Sequence, residues 1–265
     1  MKTAISKTIL VVLGVVSSVG ILSLNKSLAQ GTGYVTASIG YGLSAGSQQL
    51  ASKSNGTSRE GVYGSFGQGL KFGLTGGYMF SQNVGGELGF LYLIGNSFEG
   101  GSTGTNSSST DKHSGSGFMI APAIIISGTG SVMPYAKAGI VLGFLKVTTE
   151  SSSSFTQGQT RSQSEGTGEE TGGVAIGYTG GVGVVFGGGG QLSFFAEVAL
   201  VNMAYSPSQG ELTKATIDGR DVLSPIPNKT KVYKDSYNTT EQNVLAGVRE
   251  PFGSVGVNVG VRVNL

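Results

Sequence analysis

The last eleven residues read Val255-Gly-Val-Asn-Val-Gly-Val-Arg-Val-Asn-Leu265. Every odd position is apolar: Val255, Val257, Val259, Val261, Val263 and Leu265. Every even position is small or polar: Gly256, Asn258, Gly260, Arg262 and Asn264. Side chains on a β-strand point alternately to its two faces, so this segment predicts a strand with one apolar and one small, polar side. The same period of two recurs at Gly33–Leu43, Gly67–Phe80, Val84–Ser97, Ser116–Ser127, Val132–Val147, Gly172–Phe186 and Gln191–Ser206, giving eight strands in all.

The connections alternate in length. Ser81–Asn83, Gly128–Ser131 and Gly187–Gly190 are short turns rich in Gly, Ser and Asn. Ser44–Phe66, Phe98–Gly115, Thr148–Thr171 and Pro207–Pro251 are long. Long and short connections in strict alternation put all long loops at one end of an all-β, eight-stranded antiparallel up-and-down barrel. Transmembrane barrels show that asymmetry. No stretch after the N-terminal region has the roughly 20 apolar residues of a spanning helix.

Alternation alone does not say which face is outside, because a soluble barrel with an apolar interior alternates too. Charge decides between the two. Within the eight strands only Lys71, Glu87, Lys137, Lys146, Glu197 and Arg262 are charged. All but Lys146 fall on the small, polar face, and Lys146 sits at the loop end of its strand, where its stem can snorkel. The apolar face carries residues such as Phe72, Phe90, Ile124, Ile140, Tyr178 and Phe194; the other is largely glycine, including Gly40, Gly73, Gly139, Gly181 and Gly256. A water-facing exterior carries many Lys and Glu and few Gly. The apolar face therefore meets lipid, where one Lys or Arg at the midplane costs about 2–4 kcal/mol. Tyr78, Phe80 and Phe186 at the turn end, with Tyr92 and Phe144 nearer the loops, are candidates for aromatic belts. Pro122 and Pro134 inside two strands lack a ladder donor and predict a bulge or bend.

Composition agrees with this assignment. Glycine accounts for 47 of 265 residues without a collagen period, and only 12% of residues are charged. The chain has no Cys and one His, His113, which removes disulfides and thiolate sites and leaves no set of histidines for a metal. No basic patch suggests nucleic acid. The N-terminus has Lys2 and Lys7, an uncharged apolar run Ile9–Leu22, and Ser27-Leu28-Ala29. This is the secretory pattern, with cleavage expected after Ala29, so residues 1–29 form a signal peptide and 31–265 the barrel. Loss of Lys2, Lys7 and Lys26 takes the formal net charge from +2 to −1.

The polar-face charges invite a functional reading. Strand direction places Glu87, Lys137, Glu197 and Arg262 in one layer near the turn end, with Lys71 higher and without an evident partner. Charges in a narrow lumen are costly unless paired, so a structural network is expected, with Glu197–Arg262 on neighbouring strands as the favoured contact. An ion pathway is the alternative. Catalytic signals are weak. His113 sits in Asp111-Lys112-His113-Ser114 near Ser116, which admits a rim enzyme acting on membrane lipid, but the surrounding loop is simply rich in Ser, Thr, Gly and Asn. The acids Glu165, Glu169 and Glu170 lack the spacing of a calcium loop. No cofactor is expected. Pro207–Pro251 is the most charged loop, carries Tyr233 and Tyr237, and is the expected site of an extracellular partner.

With signal peptide, strand count, loop asymmetry and the Val255–Leu265 strand in place, the chain from Gly31 to Leu265 resembles the small outer-membrane β-barrels of the OmpA transmembrane-domain, OmpX and opacity type, described as porin-like. The resemblance implies an integral protein of the cell outer membrane of a Gram-negative-type bacterium, without enzymatic activity. It further implies surface contact or adhesion through the long loops, or else a narrow channel for small solutes. The terminal strand (Val255, Val257, Val259, Val261, Val263, Leu265) resembles the signal read by the barrel-assembly machinery, although the family usually ends in an aromatic and this chain ends in Leu265.

Overall fold

The computed structural model describes residues 32–46, 48–187, 190–227, 229–236, 240–241 and 243–265. The signal segment 1–29 and Tyr237 lie outside the described residues. In chain order the strands are β1 (Thr32–Ser44), β2 (Gln48–Ser54), β3 (Arg59–Gly64), β4 (Gly69–Met79), β5 (Val84–Thr103), β6 (Ser107–Ser127), β7 (Val132–Gln157) and β8 (Thr160–Thr171). They continue as β9 (Ala175–Phe186), β10 (Leu192–Tyr205), β11 (Gln209–Ile217), β12 (Arg220–Asp221), β13 (Thr230–Lys234), β14 (Val244–Ala246), β15 (Glu250–Pro251) and β16 (Ser254–Asn264).

Eight of these close a ring. β1 pairs with β4, β4 with β5, β5 with β6, β6 with β7, β7 with β9, β9 with β10, β10 with β16, and β16 back with β1. Every one of these pairings is antiparallel. The eight strands are the eight expected segments, and closure leaves no barrel strand with an unpaired edge, as hydrocarbon requires. The turns Ser81–Asn83 and Gly128–Ser131 stand where the sequence puts them, and of the third, Gly187–Gly190, positions 188–189 lie outside the described residues. At Gly187 the backbone adopts φ 80°, a left-handed geometry that glycine enters without steric cost.

Neither proline introduces a bulge. Ile120 pairs with Leu142 and Ala123 with Gly139, so the register to β7 passes Pro122 without a shift. The ladder simply skips Ala121 and Pro122, and this accommodates the missing donor. Pro134 pairs with Val184 in β9, while its carbonyl accepts from Gly128 N–H at 2.7 Å. The irregularity of β5 lies instead between Ile94 and Ser97, where the strand leaves the barrel.

The long connections are built largely of strands. β5, β6 and β7 run on past the rim as paired strands, from Ser97↔Ser114 up to Thr103↔Ser108 and from Thr148 up to Phe155. Above the rim β7 exchanges its partner β9 for β8, and β8 then pairs with β11, β11 with β13 and β13 with β14. On the other side β2 joins β5 in parallel and pairs with β3. The result is an outer sheet ordered β3-β2-β5-β6-β7-β8-β11-β13-β14 standing on one side of the barrel mouth. Ser and Thr occupy both of its faces. Both faces meet water, so no apolar period marks these strands in the sequence, and ladder hydrogen bonds hold them instead.

Candidate functional site

The barrel exterior is a continuous apolar belt. Ile176 (69% exposed), Phe194 (59%) and Val257 (56%) represent a face that also includes Phe90, Ile124, Ile140 and Val259. Arg262, three residues from Leu265 on the same strand as Val257, is buried inside. Along β9 the belt runs from Ile176 to Phe186, which at about 3.4 Å per residue and about 40° of tilt gives roughly 25 Å of height. An apolar surface of this extent is stable only in hydrocarbon. The chain is a transmembrane β-barrel. Its belt ends in aromatic groups at both levels: Tyr78 and Phe80 meet at 5.9 Å near the turns, and Tyr92 and Phe118 at 4.6 Å nearer the mouth. Two exposed tyrosines nearer the mouth, Tyr41 and Tyr178, each accept a hydrogen bond from an asparagine, Asn96 two strands away on β5 and Asn202 on the adjacent β10. That is the arrangement of a ring with one apolar and one wet end.

Inside the lower barrel, three of the five lumen charges meet. Lys137 Nζ lies 2.7 Å from Glu197 and 3.5 Å from Glu87. The two carboxylates also collect neutral donors. Tyr34 donates to Glu87 at 2.7 Å, and Tyr135 and Asn258 donate to Glu197, each at 3.0 Å. Buried carboxylates satisfied this fully suit a rigid network. The expected Glu197–Arg262 pair does not form. In the register of β10 against β16, Glu197 opposes Asn258 whereas Arg262 opposes Ser193, four residues further down. Arg262 instead stacks its guanidinium 3.6 Å from the centre of the Tyr34 ring and donates to Asn264 at 2.9 Å. Lys71 stands apart, as expected, with the Ser254 hydroxyl as its partner.

Two apolar layers cross the lumen, and the sequence reading of a glycine-lined interior missed both. Near the turns, Tyr34, Met79, Ile125, Tyr135 and Val185 form one. Toward the mouth a larger one joins Leu93, Met119, Val141, Leu145, Val201 and Met203, and Phe66, Tyr205 and Phe252 cap it. The cap is fastened by backbone bonds from Phe66 N–H to Pro251 C=O at 2.8 Å and from Phe252 N–H to Met203 C=O at 3.0 Å. The available signal was the apolar residues among glycines on the supposedly polar face of β5, β7 and β10. A polar cavity of about 60 Å³ lies between the layers, lined by Lys71, Glu87, Lys137 and Glu197 among others.

The rim holds a second cluster. Glu170 on β8 accepts from Tyr233 at 2.9 Å through Oε1, while its Oε2 is buried without a partner. Glu250 on β15 sits near it. Burial, and then the Glu170 charge, push the Glu250 carboxyl up to about 7; burial and Glu170 also push the Tyr233 hydroxyl up. On the outer face Lys146 pairs with Glu169 at 2.9 Å and Lys214 with Glu165 at 3.1 Å, so these acids serve the outer sheet as ion-pair partners. Among the described residues no cluster of potential metal ligands occurs. His113 Nδ1 lies 3.0 Å from Thr149 Oγ1 on β7, and His113 shares a shallow groove with Ser109, Asp111 and Arg59.

The chain matches no protein-family model and no curated relative. Among solved structures it is similar to Neisserial surface protein A at 12% identity and a TM-score of 0.39, covering 89% of this chain and 99% of that one. Ail, the attachment invasion locus protein of Yersinia pestis, is similar at 14% identity and a TM-score of 0.31, covering 88% and 99%. The N-terminal β-barrel domain of Pseudomonas aeruginosa OprF is similar at 12% identity and a TM-score of 0.30, covering 89% and 100%. Likenesses this distant add nothing to the fold, which the ring of strand pairings defines by itself.

Proposed function

We propose that the protein is an outer-membrane anchor that presents its outer sheet for surface contact. The observation that carries this reading is the continuous nine-strand sheet above the mouth, grown from β5, β6 and β7 of the barrel wall. Much of the chain's hydrogen-bonded structure lies outside the lipid belt, and a barrel that only sealed a membrane has no use for it. Residues 207–251 supply β11 to β14 at one end of that sheet, and β15 beside β10, and are the proposed partner-binding segment. The outer-membrane lipid holds the belt, and the barrel-assembly machinery reads the β16 strand on the way in. Export by the N-terminal segment belongs to the same reading.

A channel is the weaker reading, because two apolar layers cross the lumen above and below its charged residues. The test is a variant in which residues 209–246 are replaced by a short Gly-Ser turn. Cells displaying it are expected to keep a heat-modifiable barrel in the outer-membrane fraction and to lose attachment to the surfaces that wild-type cells bind. Unchanged attachment would remove the surface-contact reading. A steady current through the wild-type protein in a planar bilayer would favour the channel.

A further inference from the structure

The barrel interior carries three cations, Lys71, Lys137 and Arg262, and two carboxylates, Glu87 and Glu197. Lys137 bridges both carboxylates, and Arg262 lies against the tyrosine that donates to Glu87. Lys71 makes no ion pair among the described residues. Its side-chain partner is the neutral hydroxyl of Ser254, and the residue is 8% exposed. A buried ammonium without a counter-charge is costly even when one hydrogen bond reaches it.

The surroundings of Lys71 are shaped to supply what it lacks. Gly42, Gly73 and Gly256 line the cavity of about 60 Å³ beside it. A Cβ at Gly42 would stand 3.2 Å from Lys71 Nζ and 3.1 Å from Ser254 Cβ. The hydroxyls of Ser38 and Thr75 line the same space; Thr179 lines it too but donates its hydroxyl to Leu200 C=O at 2.9 Å. Leu91, Ala121 and Val201 bound it toward the mouth and Phe195 toward the turns, each belonging to or packed on the apolar layers. A volume of this size holds about four waters, or one slightly larger ion with fewer.

We propose that this chamber binds one small inorganic monovalent anion of the halide class, held by Lys71 and the surrounding hydroxyls, which brings the five lumen charges to neutrality. The donors are the Lys71 ammonium and the Ser38 and Thr75 hydroxyls; Glu87 and Glu197 line the chamber too, but both carboxylates are engaged by Lys137, which leaves Lys71 as the cation to be matched. The layers on both sides exclude bulk water, so the ion is part of the folded structure rather than a permeating species. This inference is independent of what the outer sheet binds.

The test uses the mature chain refolded in bromide. Crystals are expected to show one anomalous-scattering peak beside Lys71 Nζ. The unfolding midpoint in urea is expected to rise with the logarithm of bromide or chloride concentration, and not with sulfate at matched ionic strength, because a ligand that binds only the folded state stabilises it in that way. Lys71→Met is expected to lose both the peak and the halide slope while keeping the heat-modifiable barrel. Three results would overturn the proposal: no bromide peak at the wild-type lysine, a peak that persists in Lys71→Met, or equal slopes in halide and sulfate. Any of these would leave a chamber occupied by water alone.

Discussion

The guanidinium of Arg262 lies 3.6 Å from the centre of the Tyr34 ring, and the hydroxyl of that tyrosine donates to Glu87 at 2.7 Å. One side chain thus serves a cation with its face and an anion with its edge. Tyr34→Phe keeps the stack and removes a hydrogen bond to a charged group, with an expected loss of about 1.5–3 kcal/mol. Tyr34→Leu removes both and is expected to lose roughly a further 0.5–2 kcal/mol. Urea unfolding in lipid vesicles, followed by gel mobility of the folded band, measures both. Equal losses in the two variants would mean that the stack contributes nothing.

Glu197 accepts from Lys137, Tyr135 and Asn258. Glu197→Ala leaves Lys137 with Glu87 alone and should cost about 3 kcal/mol, the low end for a broken buried pair. Both apolar layers survive the change, so single-channel recordings should show no steady current. A large persistent conductance would show that the charges, rather than Leu93, Val141 and their neighbours, close the barrel.

The lipid assignment of the belt is tested at Val259, which is half exposed on β16 and opposes Ile39 and Ala196 on the neighbouring strands. Val259→Lys should destabilise the barrel by about 2–4 kcal/mol in vesicles. A near-neutral effect would place this face against water or protein.

The rim acids predict a pH dependence. Glu250 holds its proton more tightly in the folded state, with a carboxyl raised from 4.5 to about 7. Below about 4.5 it is protonated whether folded or not. Between that pH and 7 the folded state binds more protons, so stability falls as pH rises through this window. Amide exchange in β13, corrected for intrinsic rates, should be slower at pH 5.5 than at pH 8, because the ionised carboxylate repels Glu170, which holds Tyr233. Glu250→Gln should flatten that difference. A dependence that survives the substitution would assign it elsewhere.

Close packing of the cap gives a matched pair of variants. A Cβ at Gly115 would stand 2.6 Å from Phe66 Cβ and 2.8 Å from the Phe252 ring, whereas one at Gly76 on the lipid face meets nothing within 4 Å. Gly115→Ala should therefore cost about 1–3 kcal/mol by overpacking, and Gly76→Ala should be neutral or slightly stabilising. The comparison is made by thermal unfolding in the same lipid.

What the sequence revealed follows from where two different solvents touch one strand. Val257 faces hydrocarbon and Asn258 faces the lumen, so the period of two is written plainly along β16. The outer sheet has water on both sides, so Ser151 to Ser154 alternate in direction without alternating in chemistry. The apolar layers escaped for a different reason: Leu93, Val141 and Met203 are apolar on the face that glycine dominates, and a pattern read strand by strand does not reveal that they converge. Arg262 shows the third limit. Being on adjacent strands did not make it a partner of Glu197, because the partner is set by register, and the sequence fixes register only to within a few residues.

β7 runs from Val132 to Gln157 without interruption, and its lower half is barrel wall while its upper half is the middle of the outer sheet. A pull on that sheet therefore does not bend a joint. It loads the ladders of the embedded cylinder in shear, shared among many bonds at once, so anything that grips this sheet is gripping the wall itself.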